Sequence, residues 1–253
     1  MKLIGGDIGK YERETFVDSV IIAPAERYIV EVYFEKAGKY ELKNITPESE
    51  YTLGNILVSD EKVTESFASE FQNLRENQDV ISDIDAYRDY FSKTPDKAIT
   101  LDMDMGMMNM GGMMMQGESH GGIEWEDSMG MMNEMHTSDQ VQWNIIEDST
   151  GKQNMDINWS FQKGDVVKVR ITNKKDGMHP MQHPIHFHGQ RFLILDENGI
   201  PNENLVWKDT ALVKMGEYID ILIDMSNPGE WMTHCHIAEH LSAGMMMHFS
   251  VKE

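Results

Sequence analysis

Two short segments constrain this chain more than anything else in it: HPIHFHG at residues 183–189 and HCHIAEHLSAGM at residues 234–245. Together they carry six of the ten histidines and the only cysteine, Cys235. Successive side chains on a strand project to opposite faces, so the alternation His234, Cys235, His236 puts both imidazoles on one side and the thiol on the other. A fold that uses this tripeptide is a sheet with polar chemistry on both sides of one strand. His240 and His183 can return to the thiol's side, with Met245 beyond a small Ser-Ala-Gly stretch. Two imidazoles, a thiolate and a weak thioether are the donor set of a blue-copper centre. On the opposite face, His186 and His188 can converge with His234 and His236, and four imidazoles suit a second copper assembly. Structural zinc sites also use histidine and cysteine, but they usually pair closely spaced ligands in sets of four, so copper is the better reading.

In this register the two segments resemble the C-terminal copper motifs of the multicopper oxidases, the laccase-like family. The resemblance implies that His183, Cys235, His240 and Met245 hold a type 1 copper. It implies that His186 is a type 2 ligand and that His188, His234 and His236 are type 3 ligands. The implied reaction takes single electrons from a phenol or Cu(I) at the type 1 copper. Cys235 relays them through His234 and His236 to a three-copper site that reduces O2 to water. That site needs four HxH-like motifs, and this chain carries such motifs only at 186–188 and 234–236. A complementary N-terminal domain or another chain is therefore expected to supply the rest. The alternative is a type 1-only cupredoxin that transfers electrons or handles copper without oxidase activity. Two positions depart from the family pattern: Leu241 follows His240 where many bacterial members carry a proton-supplying acid, and Gln190 stands where histidine is common.

With 253 residues and 40% hydrophobic content, the chain is long enough for one to two domains with a real core. A formal net charge of -21 argues against nucleic acid and anionic membrane surfaces as partners and favours cations. A single cysteine excludes an internal disulfide, which leaves its thiolate for a metal. No apolar run approaches the roughly 20 residues of a membrane span, and the start MKLIGGDIGKYERE lacks the basic and apolar regions of a signal peptide. The residues thus give no location, whereas the resembled family commonly works in the periplasm or outside the cell.

The pattern of periods divides the chain into three. Residues 1–60 alternate apolar and polar stretches, punctuated by Pro24, Gly38 and Pro47, and predict strands. Their GGD at 5–7 and APAER at 23–27 resemble the second half of a multicopper oxidase middle domain. Met1 is then expected to begin inside a domain, and the uncovered edge and apolar face to call for a partner. Residues 61–97 change period: Val63, Phe67, Phe71 and Leu74, then Ile81, Ile84, Tyr87 and Phe91, predict a connector of one or two amphipathic helices. From 98 to 253 the strand pattern returns in VQWNII, DINWSF, DVVKVRIT, RFLIL and YIDILIDM, with turn residues between them. The expected fold is all-β: a Greek-key sandwich, a cupredoxin by the resemblance, preceded by a partial cupredoxin domain and a short helical connection.

A methionine-rich insert spans 101–135 and holds twelve of the 22 methionines among glycines and acids. Thioethers suit Cu(I), so the insert can gather cuprous ions, and a low-complexity segment with no binding role is the equal alternative. His120 and His136 beside these methionines read as solvent-exposed, His179 as structural, and His248 as packed or surface. Asp209 and Glu239 lie near the copper segments, where an acid can orient a ligand or help a donor dock.

Overall fold

The computed structural model describes residues 1–104, 120–125, 141–175 and 181–253; most of the methionine-rich insert, together with His136 and His179, lies outside the described residues. Strand β1 (Lys2–Gly5) pairs antiparallel with β2 (Lys10–Phe16) on one side and β3 (Ile29–Glu31) on the other. Lys2 is buried in this small sheet because its ammonium meets Glu31 at 2.8 Å and Glu14 at 3.3 Å. A separate hairpin follows, β4 (Gly38–Ile45) and β5 (Glu50–Val58). Its turn closes through the Thr46 amide donating to the Ser49 carbonyl at 2.9 Å. Every residue of β4 is exposed, and Leu53 and Leu57 of β5 are 65% and 78% exposed, so among the described residues neither face of this hairpin is buried, although Tyr40 packs on Phe34 with ring centres 4.8 Å apart.

The predicted connector forms α1 (Ala68–Gln72), α2 (Gln78–Asp85) and a 3-10 turn at Arg88–Ser92. The second half of its apolar stripe packs on the sandwich, whereas in the first half only Phe71 packs, its ring 5.5 Å from that of Phe16 and 5.6 Å from that of Tyr33. Ile84 is fully buried, and Val80, Tyr87, Tyr90 and Phe91 lie with it against Leu193, Leu195, Leu205, Trp207 and Leu222. Val63, Phe67 and Leu74 are exposed, contrary to the packing surface expected there. The physical reason is length: α1 has five residues and buries none of them, too short to carry a continuous face.

The remaining strands are β6 (Lys97–Asp104), β7 (Gln142–Glu147), β8 (Asn158–Gln162), β9 (Val166–Asn173), β10 (His183–Phe187), β11 (Arg191–Glu197), β12 (Ile200–Pro201), β13 (Thr210–Val213), β14 (Tyr218–Asp224), β15 (Gly229–Cys235) and β16 (Met246–Lys252). They form two sheets, ordered β13-β10-β15-β16-β8 and β12-β11-β14-β9-β6-β7. The first residues of the expected insert are strand instead: Leu101 is buried and Met103 packs against the core, as the last turns of the pleat in β6.

Period-2 alternation explains how the six-stranded sheet is covered on both faces. Ile219, Ile221 and Ile223 of β14 and Val167, Val169 and Ile171 of β9 face the inter-sheet core with Phe187, Phe249 and Cys235. Leu222 turns the other way, onto the connector. On that outer side Asp220 stands opposite Arg170 in register and receives its guanidinium at 2.7 and 2.9 Å. The neighbouring Lys168 is buried because its ammonium also donates to the carbonyls of Tyr90, Phe91 and Lys93, which ties the 3-10 turn to the sheet.

The small N-terminal sheet docks on the segment 203–209. The Glu12 amide donates to the Leu205 carbonyl at 3.0 Å, the Leu205 amide to the Glu12 carboxylate at 2.8 Å, and Arg88 pairs with the same carboxylate. No helix among the described residues is long and apolar enough to cross a membrane.

Candidate metal centre

Strands β10 and β15 lie side by side and antiparallel, with Ile185 opposite Cys235 and His186 opposite His234. Directly opposed residues share a face, so one face of the pair carries Ile185 and Cys235 and the other His186 and His234. The tripeptide therefore divides as the alternation requires.

On the core face, Cys235 is fully buried, and its Sγ lies 3.7 Å from His183 Nδ1 and 3.5 Å from His240 Nδ1. The two imidazole nitrogens are 3.1 Å apart, and all three donor atoms lie within 4.8 Å of one another. A short helix, α3 (Ala238–Ser242), carries His240 back over the strand. Fully buried Met245 joins the same core, and its backbone closes the loop: its amide donates to the His240 carbonyl at 3.0 Å and its carbonyl accepts from the Cys235 amide at 3.1 Å. Trp143 roofs the cluster, stacked on His240 with ring centres 3.8 Å apart and edge-on to His183 at 5.2 Å. Burial pushes the Cys235 thiol up to about 12, so at neutral pH it keeps its proton until a metal displaces it.

On the opposite face, His188 Nε2 and His234 Nε2 are 3.0 Å apart, and the His186 ring centre lies 4.8 Å from that of His188, 5.7 Å from that of His234 and 5.9 Å from that of His236. The imidazoles of His188 and His234 are held below their ordinary range, mainly by burial and further by the neighbouring rings, which keeps them neutral as metal donors. The tautomers of His186 and His234 follow from their hydrogen bonds. His234 Nδ1 sits 2.8 Å from the Cys235 carbonyl and His186 Nδ1 2.9 Å from the Asp209 carbonyl. A carbonyl only accepts, so each Nδ1 carries the proton and each Nε2 is left bare. The motif ends in Gly189 because its φ of +69° is a left-handed conformation and a Cβ there would lie 2.3 Å from the Trp231 ring.

Of the other candidates, Asp209 reaches the site: its Oδ1 lies 3.5 Å from His186 Nδ1. Burial would raise its carboxyl, but hydrogen bonds from His186, Arg27 and Thr210 outweigh it and hold the group well below the usual carboxylate range. Glu239 is exposed at the start of α3, and His120 is exposed with Glu48 at 3.9 Å. Gln190 exchanges hydrogen bonds with the Asn227 backbone at 2.7 and 3.1 Å and bonds to none of the six histidines. His248 sits half-buried on β16, opposite Met232 of β15 and therefore on the same side of the sheet as His234, two positions further along the strand. Sequence reasoning missed Trp143 and Arg27. The first is one tryptophan among five and the second a single arginine in a turn, and neither has a spacing signal linking it to the histidines.

A profile of the multicopper oxidases matches residues 124–253, just over half of the chain. The chain belongs to the multicopper oxidase family. The multicopper oxidase of Staphylococcus aureus is 41% identical over 78 residues, which cover 30% of this chain and 17% of that protein. The iron transport multicopper oxidase of Schizosaccharomyces pombe is 35% identical over 102 residues, 35% of this chain and 16% of that protein. Among solved structures, the multicopper oxidase of Campylobacter jejuni, described as a metallo-oxidase, superposes with a TM-score of 0.66 at 24% identity over 99% of this chain and 48% of its own. A multicopper oxidase of the hyperthermophile Aquifex aeolicus gives 0.61 at 21% identity, over 100% of this chain and 50% of its own. These likenesses place the whole chain in the cupredoxin-like fold of the multicopper oxidases. The chain spans about half the length of those solved structures, and less than a fifth of each curated relative aligns with it. Membership of the family makes copper the metal to fit, and a buried thiol between two imidazole nitrogens is a donor set that copper accepts.

Proposed function

We propose that this multicopper oxidase chain is laccase-like: His183, Cys235, His240 and Met245 hold a type 1 copper, while His186, His188, His234 and His236 form part of a type 2/type 3 three-copper site. The remaining imidazoles come from a complementary N-terminal domain or another chain, a reading supported by the half-length match to solved relatives. The observation that carries the proposal is the meeting of Cys235, His183 and His240 within 4.8 Å on one face of a strand pair whose other face sets His186 opposite His234.

Copper held in these places supplies one-electron oxidation of a phenol or Cu(I) donor and reduction of O2 to water. The protein's own residues supply the surroundings. Burial of Cys235 and Met245 excludes water from the sulfur donors. Cys235 and His234 are joined by one peptide unit and again by the 2.8 Å hydrogen bond from His234 Nδ1 to the Cys235 carbonyl, so thiol and imidazole communicate across the strand by two short routes. The Nδ1 protons of His186 and His234 aim both Nε2 atoms at the open side. A net charge of -21 draws cations, which favours Cu(I) over an anionic donor.

Copper counting with absorption, followed by oxygen uptake with a phenol or Cu(I), tests the proposal. The chain alone should hold one strongly blue copper, and oxygen consumption should begin once the matching imidazoles are supplied by a complementary domain. A blue copper that never supports oxygen consumption would instead assign a type 1-only electron-transfer or copper-handling role.

A further inference from the structure

The GGD and APAER segments have no place in the copper chemistry as stated, yet the fold brings both to the foot of His186. The side chain of Asp7 of the first is fully buried. Its carboxylate accepts from the Arg27 amide at 2.8 Å and from the amides of Asp209 and Thr210 at 3.3 Å each, and it pairs with the Lys208 ammonium at 3.2 Å. Lys208 is itself buried and also meets Glu26 of the second segment at 3.2 Å. Arg27 then reaches over with its whole guanidinium. Nη1 donates to Asp209 Oδ1 at 2.7 Å and to the Ala25 carbonyl at 2.8 Å, while Nη2 donates to Asp209 Oδ2 at 2.7 Å and to the Asp7 carbonyl at 2.9 Å. Both carboxylate oxygens of Asp209 are thereby held, as a planar fork requires and a lysine cannot reproduce. Thr210 donates to Asp209 Oδ1 at 2.9 Å, so its own oxygen is turned to accept from His186 Nδ1 at 3.0 Å.

We propose that Asp7 and Arg27 are positioning residues for His186: they lock Asp209 and Thr210, which in turn keep the imidazole proton on Nδ1 and Nε2 facing the four-histidine side. The inference rests on the reading of His186 as a copper donor. Its consequence is that the N-terminal sheet is a working part of the site. Residues 182 positions apart in the chain set the tautomer of one ring.

The test uses the metal-free chain and long-range proton–nitrogen NMR correlations of the histidine rings, which report each tautomer directly. In the unaltered chain His186 should be the Nδ1–H form. Arg27→Leu should lower its Nδ1–H to Nε2–H ratio about tenfold, the scale on which outer partners of a ligand act, with the His183 and His240 ring signals unchanged. Arg27→Lys, which keeps the charge and loses the fork, should give a smaller drop in the same direction, and serves if the leucine variant does not fold. An Nε2–H form in the unaltered chain, or an unchanged ratio in the folded variants, overturns the proposal. Copper counting on the chain completed by a complementary domain separates the two ideas: no copper beyond the blue one would sink the reading of His186 as a donor, whereas a tautomer shift seen in the metal-free variants would still uphold the bracket.

Discussion

The two faces of the β10–β15 pair are built from alternate residues of the same two strands, and they differ in completeness. Towards the core, His183, Cys235, His240 and Met245 are all buried, roofed by Trp143 and closed by backbone hydrogen bonds between residues 235, 240 and 245. Towards the other side, only His234 is buried, while His186 and His188 are half-buried and His236 is exposed. A strand can thus keep a dry cluster of sulfur and imidazoles and a more open cluster of four imidazoles a single peptide apart. The dry side takes its shape from the sandwich, while on the open side Arg27 and Asp7 reach the ring of His186 through Asp209 and Thr210.

The largest effect expected from breaking this contrast is at the thiol. Cys235→Ser should abolish the blue absorption of the copper-loaded chain completely, because the colour arises from copper bound to thiolate; absorption spectra of the two proteins decide it, and an unchanged band would contradict the core-face assignment. Next comes the mirror experiment. His186→Ala or His188→Ala should leave that band intact and reduce oxygen uptake by the completed enzyme to background, as read on an oxygen electrode. Loss of blue colour in these variants would mean that the faces are not separate.

Stability gives a smaller effect that sharpens the same contrast. Ile185→Ala, opposite Cys235 on the closed face, should cost about 2–5 kcal/mol, as large-to-small changes in a packed core do. Leu53→Ala in the exposed hairpin should stay within about 0.5 kcal/mol. Denaturant titration of both variants measures the difference, and equal costs would deny that packing is concentrated in the sandwich.

The smallest effect is in pH. His188 and His234 titrate lower in the folded chain than when unfolded, so below the ordinary imidazole value of about 6.5 the unfolded chain binds more protons. The stability that these rings contribute is present above that value and is lost as pH falls through their folded values. The melting temperature of the metal-free chain should therefore fall as pH drops from about 6.5, before the carboxylates titrate, and a His188→Gln, His234→Gln double variant should flatten the fall. A double variant with the same slope would contradict it.

Period and spacing made much of this legible from the chain. The histidine and cysteine alternation marks the two faces because a strand has no freedom to do otherwise, and β9 and β14 declare their core residues by the same period. The stripe at 63–74 misled except at Phe71, because spacing of three or four residues signals a packed face only when a helix is long enough to present one, and α1 has five residues. The bracket at His186 was illegible for another reason. Arg27 and Asp209 meet only after folding, and a carboxylate among 43 acids carries no mark of its partner. Trp143 likewise gains its place over His240 from β7, whose amide at 143 donates to the Ala243 carbonyl at 3.0 Å.

X-ray absorption at the copper edge on the singly loaded chain tests the central claim most directly. The account predicts one sulfur scatterer at thiolate distance together with two imidazole nitrogens, and loss of that sulfur in Cys235→Ser. A first shell of nitrogen and oxygen alone, unchanged by the substitution, would contradict it.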